Sequence, residues 1–260
     1  MKRKEHIAIA VPSLEGKIPL PLAEFIAMAT AGNHDDACPW GFTLIPVVRK
    51  QPFELARNIA VREFLRTDAD RLWFIDDDMI PFPGRSVQLL RGEADIVIGG
   101  YLRAAATDDN MIDLRMLLFE DARNERGEET FRSLPFSDRR DFFPVKSGGT
   151  GCMLIQRAVL EDPRMMYATK YTDWRGIERD LFDDPDAPPP VFKTHRKPNG
   201  DTDIGEDHDF CRRAGLLGYS IHGHMLFGMD HQKTTTAEMV LRTIAVHKEI
   251  TRQAVAGGAR

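Results

Sequence analysis

The chain has 260 residues, 42% hydrophobic and 29% charged, the balance of a folded protein with a sizeable core rather than of a disordered segment. A formal net charge of -5, with both signs spread along the chain, argues against a general nucleic-acid binder but leaves room for a local basic groove. Three widely spaced cysteines (Cys38, Cys152 and Cys211), with no Cys-x-x-Cys pair, argue against a disulfide framework or a zinc knuckle and fit a reducing compartment.

After a basic start, Met1 to His6, the apolar run Ile7 to Val11 is too short for a signal segment or a membrane span, and no later run approaches span length. A cytoplasmic protein is expected, in the host cytoplasm if the source is viral. Ile7 to Val11 reads as a buried strand ended by Pro12-Ser13, and Phe42 to Val48 as a second strand. Pro52 suits a first helical turn, and Ala56, Ile59, Ala60 and Phe64 recur at helical spacing through Leu65. Arg71 to Ile75 is a third strand and Asp95 to Tyr101 a fourth. This alternation predicts a largely parallel sheet with helices on its faces.

From Ala104 to Arg140 the chain is polar, with one brief apolar run from Met111 to Phe119. Phe142 to Gln156 reads as two short strands around Ser147-Gly148-Gly149-Thr150-Gly151. Asp162 to Asp203, rich in Pro, Asp and Gly, reads as a long loop or lid, with Trp174 placed to close over a ligand. Gly205 to Leu217 is read as a helix and Tyr219 to His222 as a strand. A last helix starts near Thr235, with Glu238 completing a capping box, and runs to about Thr251.

Asp76-Asp77-Asp78 is the strongest chemical signal. It follows Leu72-Trp73-Phe74-Ile75 directly, at the carboxyl end of a core strand, where open α/β sheets bind ligands. Strand alternation would send Asp76 and Asp78 to one side and Asp77 to the other. Two carboxylates on one side repel unless a cation lies between them, and hard oxygen donors suit Mg2+ or Mn2+ carrying a diphosphate. The bland alternative is a polar turn capping a helix, which Pro81 and Pro83 disfavour. No Gly-x-x-x-x-Gly-Lys-Ser/Thr is present, so the chain is not a P-loop enzyme.

Phe74-Ile75-Asp76-Asp77-Asp78-Met79-Ile80-Pro81 resembles the Asp-x-Asp segment of GT-A-fold nucleotide-sugar glycosyltransferases, the family-2-like group in particular. Four further segments resemble that family in its order: Ala56-Arg57-Asn58, the glycine-rich Ser147 to Ile155, Gly205-Glu206-Asp207-His208-Asp209-Phe210 and Asp230-His231. The resemblance covers Ile7 to about Lys233; the stretches 104 to 140 and 162 to 203 match no pattern of the family. It implies a GT-A-like α/β fold, a mixed Rossmann-like sheet flanked by helices with loop insertions. A single domain is expected, with a nucleotide-sugar-binding half at 1–103, an acceptor and catalytic half at 104–235, and a C-terminal helix at 236–260.

The resemblance further implies a metal-dependent transfer of sugar from a UDP- or GDP-sugar to an acceptor hydroxyl, with inversion. Asp76, Asp78 and His231 are the expected ligands of Mn2+ or Mg2+, and Asp207 is the expected base, with Asp209 second. Pro12, Ser13, Arg57, Asp76, Asp77, Gly149 and Lys233 are expected to meet the donor. Several of these stay open between two roles. Pro12-Ser13 is beside the base or merely a strand-ending turn. Arg57 is a diphosphate contact or a structural arginine. The glycines at 148, 149 and 151 expose N–H groups to a ligand or form a tight turn. Acidic residues at a helix start are favoured by the helix dipole alone. His222, His224 and His231 cluster near the end of the chain. The acceptor is open: a glycan, lipid, small molecule, protein or modified DNA base, the last drawing attention to Lys193, His195, Arg196 and Lys197. Two rival readings remain, a metal-dependent phosphoesterase or nucleotidyltransferase and a non-catalytic carbohydrate-binding protein on the same fold.

Overall fold

Strand β1 (Glu5–Ser13) is buried along both faces from Ile7 onward, the pattern of a strand inside a sheet covered on each side. The structure, a computed structural model, describes residues 4–13, 16–34, 38–48, 53–81, 86–106, 112–123, 127, 129–135, 141–167, 170–172, 178–180, 189–198, 202–225 and 229–231. After β1 come α1 (Leu20–Ala31), β2 (Trp40–Val48), α2 (Phe53–Leu65), β3 (Arg71–Ile75), β4 (Met79–Pro81), β5 (Ile96–Gly99), β6 (Leu102–Ala106) and β7 (Ile112–Met116). The chain continues with β8 (Leu118–Arg123), β9 (Glu129–Ser133), β10 (Phe143–Pro144), β11 (Ser147–Gly148), β12 (Cys152–Gln156) and α3 (Arg157–Glu161). The last elements are β13 (Lys170–Thr172), β14 (Glu178–Asp180), β15 (His195–Arg196), β16 (Thr202–Ile204), α4 (Glu206–Leu216), β17 (Ile221–His224) and β18 (Met229–His231).

Seven strands form one mixed sheet in the order β10-β17-β5-β12-β3-β1-β2. The expectation of a largely parallel sheet is corrected at its centre. β1 runs parallel to β2 and β3, and β17 parallel to β5, but β12 lies between β3 and β5 and runs against both. The reason is a contact remote in sequence: Gly151 meets the carboxyl end of β3, where its carbonyl accepts the Asp76 N–H at 3.1 Å, and the strand that follows runs back down beside β3.

Alternation along the strands divides two cores. Ile7, Ile9, Val11, Trp73, Ile75, Val97 and Leu154 face α1 and a 3-10 turn at Ser86–Arg91. Ala8, Ala10, Leu72, Phe74, Ile96, Ile98 and Met153 face α2, α3 and α4. The result is three layers, helix, sheet and helix. No described helix is long and apolar enough to cross a membrane.

Helix α1 was not anticipated. It buries Leu22, Phe25 and Ile26 but leaves Leu20 70% and Met28 56% exposed, so apolar residues on both faces blur the helical period. The polar stretch 104 to 140 also carries more order than its composition implies. It forms the antiparallel pairs β6–β7 and β8–β9. Opposite charges face each other across the second pair, with Arg132 2.5 Å from Glu120, so the strands lack an apolar alternation.

Part of the expected lid is anchored too. Val191 and Phe192 are buried, and Phe192 lies between Phe74 and Phe210 at ring distances of 5.6 and 4.5 Å. Asn58 on α2 fastens this strap: its amide donates to the Phe192 carbonyl at 3.0 Å and accepts the N–H groups of Val191 and Phe192 at 3.1 and 2.8 Å. Asn58→Ala leaves the buried N–H and carbonyl of Phe192 without this partner, while the Val191 N–H keeps the Pro189 carbonyl at 2.9 Å, and should cost about 2 kcal/mol in urea unfolding. An unchanged unfolding midpoint would show that packing of Phe192 alone holds the strap. Trp174, the proline run at 185–188, Lys233 and the expected last helix at 235–251 lie outside the described residues.

Candidate active site

Asp76 leaves the end of β3 and meets Arg57 from α2. The guanidinium is 2% exposed. It lies 3.1 Å from Asp76 Oδ1, donates from Nη2 to Oδ2 at 3.3 Å and reaches Glu206 on α4 at 3.4 Å. Burial alone would weaken the cation, but Asp76, Glu206 and Asp207 reverse this and hold it above its ordinary pKa. Arg57 thus turns its donor fork to two carboxylates of the protein, the structural role that its sequence left open beside a diphosphate contact. Glu206 was missed as a site residue. Burial raises its carboxyl, Arg57 opposes the rise and Asp207 adds to it.

The triplet does not follow strand alternation, because β3 stops at Ile75. The chain turns through Asp77 and Asp78, with the Met79 N–H donated to the Asp76 carbonyl at 3.0 Å. The expectation that Asp76 and Asp78 share a side is thus corrected. Asp77 and Asp78 together line an open cleft of about 560 Å³ with Lys17, Ile18, Pro19, Leu20 and Pro21, while Asp76 is turned to Arg57. Lys17 was missed because no element was read between Ser13 and Phe42. The Ser13 hydroxyl accepts the Gly16 N–H at 3.0 Å and donates to the Lys17 carbonyl at 3.1 Å. Ser13, 5% exposed beside buried Pro12, thus shapes the loop that carries Lys17 and does not itself face the cleft.

The late histidine returns to this place along the backbone. β18 pairs antiparallel with β4, setting His231 opposite Met79 and Asp230 opposite Ile80. His231 is thereby carried next to the residue that follows Asp78; its side chain lies outside the described residues. Among the described residues no group of three or more His, Cys, Asp or Glu side chains is assembled around a metal position. The donor chemistry nonetheless suits a hard divalent cation: two carboxylates on one open cleft, with an imidazole-bearing strand paired alongside.

Helix α4 begins with three acidic residues that separate in space. Asp207 folds its carboxylate over Gly205, where a Cβ would lie 2.8 Å from Oδ1, and accepts the His208 N–H at 2.8 Å. Asp209 points elsewhere and is 1% exposed. It is paired with Arg213 at 2.9 Å, lies 3.0 Å from His195 Nε2 and accepts the Tyr167 hydroxyl. Arg213 in turn donates to the carbonyls of Met165 and Val191. Asp209, the second candidate base, braces the strap, and His195 belongs to the same cluster. Lys193 lies 4.8 Å from the Tyr167 ring centre. His224 is 3% exposed and packs on Phe142.

The glycine-rich turn has an inward-facing job. The Gly149 N–H is donated to the Leu117 carbonyl at 3.2 Å. A Cβ on Gly149 would overlap the Tyr101 hydroxyl. Ser147 Oγ lies 2.7 Å from His208 Nδ1, and the His208 ring stacks on Phe131 at 4.9 Å and meets Phe119 edge-on. Burial pushes the Cys152 and Cys211 thiols up, the latter to about 12, so neither is an activated nucleophile.

No family model matches the chain, and no curated protein does. Among solved structures it is similar to A197 from STIV, at 17% identity and a TM-score of 0.47 over 87% of this chain and 85% of that one. It is also similar to the inositol-1-phosphate CTP transferase from T. maritima, at 11% identity and a TM-score of 0.40 over 89% of this chain and 90% of that one. A third likeness is to GalNAc-T7 with UDP, GalNAc and Mn2+, at 8% identity and a TM-score of 0.45 over 89% of this chain. There the chain spans only 44% of the other protein's length.

Proposed function

We propose that the chain is a glycosyltransferase that uses a nucleotide-sugar donor and a divalent cation. The observation that supports this most is the convergence, at the carboxyl end of β3, of Asp76 to Asp78, the start of α4 and the β18 strand bearing His231. These are the segments, in the order, on which the family resemblance rests. The cleft between Lys17–Pro21 and Asp77–Asp78 has the character of a nucleotide site, with apolar residues on one wall and charged groups on the other. Asp78 and His231, with Asp77 on the same cleft, are the residues that would hold Mn2+ or Mg2+. Bound there, the cation would act as a Lewis acid toward the departing diphosphate. Lys17 sits where its charge would also neutralise phosphate oxygens. Lys233 is a second cation for that role.

Asp207 serves as the base. It takes the proton from an acceptor hydroxyl as that oxygen bonds to the anomeric carbon and the bond from that carbon to the diphosphate breaks. Attack from the face opposite the leaving group inverts the anomeric centre. Arg57 orients Asp76 and Glu206, and the anchored strap helps to exclude water that would hydrolyse the donor.

Calorimetry of UDP and GDP, each with and without Mn2+, tests the donor side. Wild type should bind one of them tightly only with the metal, and Asp78→Ala should lose at least about tenfold in that affinity while keeping its unfolding midpoint. Equal nucleotide affinity with and without metal would sink the reading. Turnover of a nucleoside triphosphate into a pyrophosphate-releasing product, without sugar transfer, would point to a nucleotidyltransferase.

A further inference from the structure

Among the described residues, four of the six exposed large apolar side chains lie on the α1 side of the sheet: Ile18, Leu20, Met28 and Leu44. Leu44 pairs in register with Ile9, whose side chain is in the core that α1 covers. On α1 the outward residues Leu20, Glu24, Ala27, Met28 and Ala31 recur at helical spacing, and Glu24 is the one charged residue of the helix. Single exposed apolar residues are ordinary, but a stripe of them on one helix marks a surface that something covers.

The chain itself returns to this side. β18 pairs with β4, which packs against α1, and the antiparallel register sets His231 opposite Met79, a residue of the core under α1. The described residues stop there, next to Asp78 and the cleft that Ile18, Leu20 and Pro21 line. In the sequence that follows, Ala237, Val240, Leu241 and Ile244 recur at i, i+3, i+4 and i+7, while Glu238, Arg242 and Glu249 fall on another face. Thr235 and Glu238 supply the start signal of a helix. Residues 232 to 234 alone separate His231 from Thr235, a reach of about 14 Å at full extension. A helix over 235–251 is about 25 Å long, enough to span the 12 residues of α1, which extend about 18 Å.

We propose that residues 235–251 form a helix whose Val240, Leu241 and Ile244 face packs on the outward stripe of α1 at Leu20 and Met28. The short tether starts the segment beside α1. It also keeps the segment at an effective concentration on the order of millimolar, which favours it over a second copy of the chain as the occupant. A helix of this length is marginal alone in water and needs a partner for its apolar face. The charges inside the two stripes are opposite, Glu24 on α1 and Lys248 eleven positions after Ala237. Leu20 belongs to both the stripe and the cleft, so the docked helix walls the cleft on its open side and holds Lys233 at its mouth. The use of that wall for a nucleotide rests on the proposed function; the docking does not.

Two measurements on the full chain test the docking. In the first, Met28 is replaced by the photoreactive p-benzoylphenylalanine, and the products formed on irradiation at low protein concentration are mapped by mass spectrometry. Cross-links within one chain to residues 235–251 are expected. Leu241→Asp with Ile244→Asp should lower their yield at least about tenfold, because an unpaired carboxylate is costly to bury in an apolar contact. Arg242→Ala with Glu249→Ala, on the other face, should leave the yield unchanged. In the second, hydrogen exchange of the unsubstituted protein is compared with that of a synthetic peptide of residues 235–251. The amides from 239 to 250 should exchange at least about tenfold more slowly in the protein, and Leu241→Asp with Ile244→Asp should abolish that difference. Exchange as fast as in the peptide overturns the proposal. So do cross-links to other segments, or between two chains, which would make a second copy the occupant. Neither measurement contains nucleotide or metal, so the docking stands or falls separately from the transferase reading.

Discussion

Arg57→Met should destabilise the protein by about 3–5 kcal/mol at neutral pH, the usual consequence of removing one partner from a buried ion pair. The guanidinium is 2% exposed and serves carboxylates from two elements, Asp76 at the end of β3 and Glu206 at the start of α4. Methionine fills much of the same volume and leaves both carboxylates partly buried without a counter-charge. Arg57→Lys should fall between, because a single ammonium cannot offer the fork that reaches both acids.

The pH dependence follows from Glu206, whose carboxyl burial already raises with Arg57 in place and which Arg57 holds back from rising further. A raised carboxyl contributes stability below its unfolded pKa and loses it as pH rises through the folded value. In Arg57→Met the rise is larger. The penalty should therefore shrink as pH falls into the ordinary carboxylate range and grow toward neutrality. Urea unfolding of wild type and variant between pH 4 and 8 measures it, those limits being about the span over which a raised carboxyl titrates. A penalty independent of pH would mean that Arg57 stabilises by packing on Phe74, 5.4 Å from its guanidinium carbon, rather than by charge.

The parts of this fold that could be read from sequence are those where one local pattern dominates. β1, β3 and β5 are unbroken apolar runs, and α2 keeps Ala56, Ala60 and Phe64 at helical spacing. The readable part ends where partners are remote. The antiparallel course of β12 depends on where Gly151 meets β3, a contact between residues 75 positions apart that no local period encodes. The β8–β9 hairpin sets Glu120 against Arg132 across its strands, and charged residues of this kind look like loop composition. In the site, the acidic segments were visible as clusters, but their division of labour was not. Asp209 and Asp207 are two residues apart, yet one is enclosed by Arg213, His195 and Tyr167 while the other lies over Gly205.

Asp207→Asn should lower turnover by about 10²- to 10⁴-fold, the range that general-base assistance supplies, with donor affinity nearly unchanged. A sugar hydroxyl is a poor nucleophile at neutral pH and needs a positioned acceptor for its proton. Asp207 is half-buried at the mouth of α4, with Oδ1 held by the His208 N–H. Asparagine keeps the size and that hydrogen bond but cannot take a proton, so the loss should be in kcat rather than in nucleotide binding. Asp209→Asn is the matched control and should behave in the opposite way. It strips the counter-charge from Arg213 and leaves one acceptor oxygen where Arg213, Tyr167 and His195 share two, so it should unfold at lower urea while turnover per folded molecule changes little. Product linkage read by NMR should be inverted relative to the donor. Retention would remove the need for a base on the acceptor side and reject this mechanism even if sugar transfer held. A fully active Asp207→Asn beside an inactive but stably folded Asp209→Asn would instead mean that the enclosed carboxylate opens to the acceptor during turnover.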